Sequence, residues 1–521
     1  MQQLKRIRAV VALAFLAPAA LMFLDFGRLL PARAAALVAR VQLVPALVAL
    51  PALAAAVAVA AVAALTLLTG RVYCSTVCPL GTVQDALVRI GDGRRGRRGR
   101  YRFRFLRPRP GVHLAVAGAA GALALLGSML ALDLLEPYSS FGRILAALFR
   151  PLVAALVNGL SAALASRHVY AVQPVVFPGV AWGAVALSLA WLAGIAALTL
   201  SRGRLFCNLL CPAGAVLRLL ARRTAFRIDI DAEACNGCGV CEKVCKAGCI
   251  DAAGHRIAFD ACVACFDCLD VCPRGAVRLG PSWRRRAVPA AAPGEDGADP
   301  GRRAVIQAAA LAPAVLLAPA AAAIAAPPDP RDARAPITPP GSLDRRRFSA
   351  RCTACHLCVA SCPTQVLRPS LLEYGLSGLL QPRLVYDAGS CVYDCDLCGQ
   401  VCPTGAILEL PLPEKRLVQV GRARFVKQDC VVETKKKPCG ACAEHCPTKA
   451  IAMVPYQGDA LLRIPEVNEE ACIGCGACEH PCPTQPRKAI YVEARSPHGK
   501  AKKIQQAPVP TPAKVEEGFP F

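Results

Sequence analysis

The chain has 521 residues, 55% of them hydrophobic, with 29 cysteines, a formal net charge of +25 at pH 7 and a mean hydropathy of +0.41. That length allows several domains, the hydropathy points to membrane spans, and cysteines recurring at one tight spacing exclude a small disulfide scaffold. The positive charge does not read as a nucleic-acid footprint, because nine arginines and one acid fall together between residues 91 and 110, beside apolar runs. This is the signature of a cytoplasmic loop drawn to anionic headgroups, so membrane lipid is an expected partner and nucleic acid is not.

Residues 1–224 are expected to form a four-span membrane domain, with apolar runs at 9–26, 43–69, 111–132 and 175–200. A span needs about 20 such residues. The apolar stretch 144–165 is interrupted by Arg150 and Pro151 and reads as interfacial or re-entrant. Lys5, Arg6 and Arg8 place the N-terminus inside, Asp133 and Glu136 fall outside, and Arg202, Arg204, Arg218, Arg222 and Arg223 return the chain to the cytoplasm.

Two cysteine pairs sit where spans reach that side: Cys74-x3-Cys78-Pro79 and Cys207-x3-Cys211-Pro212, continuing into Leu80-Gly81 and Ala213-Gly214. Cysteines four apart share a helix face. The two pairs therefore either converge as four thiols, on a soft metal or as a redox disulfide, or are small buried residues at helix ends.

Residues 225–282 read as a cytoplasmic dicluster ferredoxin domain. Its runs are Cys235, Cys238, Cys241, Cys245 and Cys262, Cys265, Cys268, Cys272-Pro273. In this pattern three cysteines hold one [4Fe–4S] cluster and the fourth swings to the neighbouring one. Cys235, Cys238, Cys241 and Cys272 are thus assigned to one cluster, and Cys262, Cys265, Cys268 and Cys245 to the other. Zinc prefers paired C-x2-C units separated by longer loops. Lys246 stands where proline is usual, and Cys249 is a spare thiol four residues beyond Cys245.

A linker at 283–303 ends in Arg302-Arg303, a twin arginine of the kind that precedes export of folded domains. A fifth span is expected at 304–326 and a second linker at 327–345. Residues 346–496 form a four-cluster domain, expected in the periplasm, and 497–521 a disordered tail. Its quartets are Cys352, Cys355, Cys358, Cys362; Cys391, Cys395, Cys398, Cys402; Cys430, Cys439, Cys442, Cys446; and Cys472, Cys475, Cys478, Cys482. Proline follows each last cysteine, and longer first gaps in the middle two cost little loop-closure entropy. Adjacent and nested pairings of the fourth cysteines use the same ligands, so spacing does not choose between them. Cys352-x2-Cys355-His356 also matches a haem attachment motif, but the ferredoxin run continues past it. His113 and His168 fall towards opposite faces and offer no pair of b-haem ligands.

Four spans, two C-x3-C-P motifs and a dicluster ferredoxin together resemble NapH-type membrane quinol dehydrogenases. Val244-Cys245-Lys246-Ala247-Gly248-Cys249-Ile250-Asp251 and Cys262-Val263-Ala264-Cys265-Phe266-Asp267-Cys268 carry the local likeness. The C-terminal part resembles the NapG-type exported four-cluster ferredoxin. The resemblance implies an inner-membrane electron-transfer protein that oxidises quinol from the quinone pool and delivers electrons to a periplasmic oxidoreductase or cytochrome. No residue marks a quinone site; Arg71, Tyr73 and His168 are the available polar candidates. The alternatives are a redox or copper maturation factor built on the C-x3-C-P thiols, and a passive electron-carrying subunit. The expected architecture is an α-helical membrane domain plus α+β bacterial-type ferredoxin domains carrying six [4Fe–4S] clusters.

Overall fold

The computed structural model describes residues 2–284, apart from 28, 51, 100–102, 176 and 178, and residues 335–503. Two compact units emerge: residues 1–388 with 396–410, and residues 389–395 with 411–521. The expected domain 346–496 is thus shared between both units.

The first unit is built on α1 (Gln2–Leu24), α2 (Leu53–Thr69), α3 (Pro79–Gly99), α4 (Pro110–Leu125), α5 (Pro137–Ala165), α6 (Trp182–Arg202) and α7 (Pro212–Ala221). Alanine and leucine dominate α2, α4 and α6, so helix propensity and hydropathy agree there. Three helices, Gln3–Leu24, Pro137–Ala165 and Trp182–Arg202, are long and apolar enough to cross a membrane. Leu13, Leu125, Leu152, Leu156 and Leu189 lie on exposed faces.

Several expected spans are differently bounded. Run 43–69 is two helices, Leu43–Val48 and Leu53–Thr69, and run 111–132 divides into Pro110–Leu125 and Leu130–Leu135. The final run begins only at Trp182. Arg150 and Pro151 do not interrupt 144–165, which belongs to one 29-residue helix. A π-helical segment at Leu145–Phe149 explains this. Pro151 has no N–H for the carbonyl four residues back, and a locally widened turn absorbs that missing bond. Arg302, Arg303 and the expected fifth span lie outside the described residues.

The dicluster segment pairs β1 (Phe226–Ile230) with β4 (Val277–Pro281), and β2 (Ile250–Asp251) with β3 (Arg256–Ile257), all antiparallel. The later part of the first unit pairs β5 (Leu367–Pro369) with β6 (Pro382–Leu384).

Helices α1 and α6 run between these two cysteine-bearing segments. At the start of α1, Lys5 Nζ lies 3.2 Å from Asp267; at its end, the Phe23 ring packs on Tyr138 and Phe141 at centroid distances of 6.1 and 6.3 Å, and Phe23 also occupies the space beside Gly142 that the Cys355 carbonyl shares. Helix α6 is reversed. Its first residues Ala184 and Leu187 pack with Ala354 and Leu380, while just past its end Arg204 N–H donates to the Lys246 carbonyl at 2.7 Å. Helices of 23 and 21 residues are about 30–35 Å long.

In the second unit, β7 (Val418–Phe425) pairs with β10 (Ile490–Lys500), and β8 (Ile451–Tyr456) with β9 (Asp459–Val467), antiparallel in both cases. Its core includes Ala423, Val432, Tyr456 and Ile490 together with cysteines of the last two runs. The expected disordered tail starts too early: β10 passes through Pro497 to Lys500, and Ala501 N–H bonds the Leu417 carbonyl at 2.8 Å. Residues 504–521 lie outside the described part.

Candidate functional site

All 29 cysteines are free thiols. In four runs the same backbone device folds Cys-x2-Cys-x2-Cys around a centre: residues two and four after the first cysteine have positive φ. They are Gly237 and Gly239, Ala264 and Phe266, Ala354 and His356, and Gly474 and Gly476. For Ala264, Phe266, Ala354 and His356 this conformation costs about 1–2 kcal/mol each, which persists only where the surroundings demand it. Backbone N–H groups turn towards sulfur, with Gly237 N at 3.5 Å from Cys235 Sγ and Ala264 N at 3.4 Å from Cys262 Sγ. Among the described residues no three His, Cys, Asp or Glu side chains converge tightly enough for one metal ion. Wide four-thiol cradles with N–H donors to sulfur fit a cubane rather than zinc.

The fourth cysteines cross over. Cys241 has Cys235, Cys238 and Cys272 as thiol neighbours, and Cys268 has Cys262, Cys265 and Cys245. In the later part of the first unit Cys358 is grouped with Cys352, Cys355 and Cys402. In the second unit Cys442 lies with Cys439 and Cys482, Cys430 with the same two, and Cys478 with Cys472, Cys475 and Cys446. The nested pairing that spacing left open therefore holds for these sets. Cys362 and Cys398 belong to the first unit, Cys391 and Cys395 to the second. The spare Cys249 is buried with its Sγ 3.5 Å from Cys245 Sγ.

Within the dicluster segment, Cys238 is exposed and Cys235 half-buried, whereas Cys245, Cys262, Cys265 and Cys268 are buried. The buried set faces the helices. Ser75 Oγ donates to the Ala264 carbonyl at 3.3 Å, and Lys246 Nζ reaches Asp85 at 3.1 Å and Asp267 at 2.8 Å. Lys246, which the motif marks only as a departure from proline, is thus a tie between the cysteine segment and α3. Asp85 also meets Arg8 and Arg204, each at 2.9 Å. Burial alone would raise the Asp85 carboxyl, but Arg204, Lys246 and Arg8 hold it well below the usual carboxylate range.

The C-x3-C-P motifs are two copies of one device. Gly70-Arg71 and Gly203-Arg204 follow α2 and α6; the cysteines come three and seven residues after each arginine, and glycine three residues after the second cysteine. Each arginine reaches across: Arg71 Nη2 donates to the Cys207 carbonyl at 2.8 Å, and Arg204 Nη1 to the Cys74 carbonyl at 3.0 Å. A Cβ on Gly81 would collide with the Cys74 carbonyl and sit 2.8 Å from Arg204; one on Gly214 would do the same to Cys207 and Arg71. The four buried thiols are mutual neighbours: Cys211 is grouped with Cys207, Cys78 and Cys74. Cys207 Sγ–H also faces Gln84 Oε1 at 3.3 Å.

The candidate quinone residues do not come together. Arg71 belongs to the thiol centre, Tyr73 hydroxyl donates to Gln42 Oε1 at 3.0 Å, and His168 is exposed. His113 Nε2 bonds the Cys211 carbonyl at 2.9 Å and His356 Nε2 the Leu380 carbonyl at 2.8 Å, so backbone claims both rings. Asp133 is fully buried beside Arg143, Gln381 and Glu136, and burial pushes its carboxyl well above the ordinary range.

Multiple four-cysteine cradles of this geometry define an iron–sulfur electron-transfer protein with ferredoxin domains. The comparisons agree. A 4Fe-4S binding domain family matches residues 51–98 and 184–230, the two C-x3-C-P repeats, and a 4Fe-4S dicluster domain family matches 351–406 and 437–485. The methylamine utilization ferredoxin-type protein MauM of Methylorubrum extorquens is 32% identical over 144 residues, 26% of this chain and 64% of the relative. The ferredoxin-type protein NapG of Escherichia coli is 27% identical over 144 residues, 26% of this chain and 62% of the relative. An uncharacterized protein, MJ0749, of Methanocaldococcus jannaschii is 35% identical over 72 residues, 14% of this chain and 28% of its own length. The chain therefore spans less than two thirds of each of these relatives. No solved structure matches it.

Proposed function

We propose that this protein is a multi-pass inner-membrane electron conduit that oxidises quinol and relays electrons through [4Fe–4S] clusters to a periplasmic oxidoreductase or cytochrome. The carrying observation is that α1 and α6 each hold the dicluster segment at one end and the Cys352 segment at the other. With Lys5 and Arg8 on the cytoplasmic side by the positive-inside rule, the dicluster domain is cytoplasmic and the Cys352 segment periplasmic. The 24 run cysteines supply six clusters. Cys74, Cys78, Cys207 and Cys211 form a further redox centre lying against the buried half of the dicluster segment. The protein's own part is to space, insulate and tune these centres.

Anaerobic addition of menaquinol to the purified full-length protein should reduce its clusters, read by EPR, and iron should reach about 24 per chain, or about 28 with a seventh cluster. A chain with four or fewer irons, or clusters that quinol leaves oxidised, would sink this reading. Copper bound at Cys74 and Cys78 without quinol-driven reduction would favour the maturation factor.

A further inference from the structure

We propose that quinol binds in the cleft between α5, α6 and the Cys352 run, an assignment that rests on the quinol-oxidising reading above. This open-mouthed cleft has a cavity volume of about 70 Å³. One wall is Ala147 and Pro151 of α5 and Val185 of α6, from two helices apolar and long enough to cross a membrane. The opposite wall is Val359, Leu367 and His356, and His356 sits directly between the cluster ligands Cys355 and Cys358.

Four polar side chains, Arg150, His356, Gln365 and Arg368, break the apolar lining. His356 is 1% exposed and its Nε2 faces the Leu380 carbonyl at 2.8 Å, so that nitrogen carries the proton and Nδ1 remains an acceptor. Arg150 holds its guanidinium by Nη1 on the Phe23 carbonyl at 2.7 Å and lies 4.0 Å over the Phe26 ring, leaving further N–H donors. An imidazole, an amide and two guanidinium groups between apolar walls suit a small aromatic diol that arrives through hydrocarbon. A phospholipid tail would satisfy the walls but none of these polar groups, and a soluble carrier would not enter from the helix side.

Oxidation there balances as two O–H bonds broken and two C=O bonds formed. A [4Fe–4S] cluster held by Cys352, Cys355, Cys358 and Cys402 would accept the two electrons one at a time, and the two protons would go to water at the cleft mouth.

The test uses full-length protein in lipid nanodiscs, with a fluorescent hydroxyquinoline N-oxide as the quinone-like probe and menaquinol as reductant. Val185→Trp and Ala181→Trp fill the cleft from the α6 side without touching a cysteine; Leu125→Trp, on an outward face of α4, is the control. Each cleft variant should bind the probe at least tenfold more weakly and lose quinol-driven reduction. Iron content and the dithionite-reduced EPR spectrum should not change. Variants that bind and are reduced like wild type overturn the location while leaving the quinol reading standing. Wild-type protein that neither binds the probe nor is reduced by menaquinol overturns both.

Discussion

Replacing Asp85 by asparagine should loosen the dicluster segment from the helices. Asp85 is about 4% exposed and is contacted by Arg8 and Arg204 at 2.9 Å and Lys246 at 3.1 Å; only Lys246 has a second acid, Asp267 at 2.8 Å. Removing the shared anion strands buried cations, and breaking a buried pair in this way costs about 3–5 kcal/mol. Through local opening, that corresponds to amide exchange roughly a hundredfold to several thousandfold faster across residues 240–270, measured by hydrogen exchange and mass spectrometry. Lys246→Met should cost less, because Asp85 keeps both arginines, and the double variant should fall short of the sum by about 1–3 kcal/mol. The sign with pH follows from the two shifts. The lowered Asp85 carboxyl stabilises above its unfolded value near 3.9 and loses that as pH falls; the raised Lys246 stabilises below about 10.4 and loses it as pH rises. Attachment should therefore be flat between about pH 5 and 10. Exchange in Asp85→Asn within threefold of wild type, or strictly additive effects, would refute the reasoning.

Gly81→Ala and Gly214→Ala should damage the thiol centre equally, by about 1–3 kcal/mol or more in thermal unfolding, because each new methyl meets a backbone carbonyl that cannot rotate away. Cys402→Ser should alter the same EPR signal as Cys352→Ser, and Cys272→Ser the same signal as Cys235→Ser, if pairing is nested; a signal shared instead within each run would show adjacent pairing. Asp133, with its carboxyl raised by burial, binds its proton more tightly folded than unfolded, so stability should fall as pH climbs from about 4. Asp133→Asn should remove that slope, which pH-dependent unfolding reads directly. Cys249→Ala should leave iron content unchanged, since Cys249 is a neighbour of Cys245 rather than a ligand.

The cysteine runs were legible because cluster ligation needs a fixed short spacing that little else requires. What spacing cannot encode is which fourth thiol returns to which cradle, and that appears only once β1 and β4, or the helix following Cys355, fix the approach. Lys246 shows a second limit: its partner Asp85 is 161 residues away, so only the folded chain reveals why a lysine replaces proline. Arg150-Pro151 read as a break because proline usually ends a helix, and the π-turn that rescues it carries no strong sequence signal. Asp133 and Glu136 read from the sequence as charges marking the outside; the fold buries both and gathers them with Arg143 near the Cys352 run.

The paired thiol centre carries a charge argument that its symmetry makes sharp. Arg71 and Arg204 occupy equivalent places and neither is exposed, yet only Arg204 has a carboxylate, Asp85. Arg71 bonds Asn208 Oδ1 at 2.6 Å and the carbonyls of Cys207 and Asp260, with Cys74 Sγ at 4.0 Å and no acid among the described residues. A guanidinium stays charged in a protein, and a buried ion without a counter-charge costs several kcal/mol. Four neutral thiols would leave that cost standing, and so would two disulfides. Thiolates gathered on iron would offset it, because the ligand set then carries net negative charge beside Arg71. The unbalanced arginine therefore favours a metal-bearing thiolate centre over a disulfide pair, and Arg71→Met should lower its iron occupancy while leaving the nested ferredoxin cradles filled.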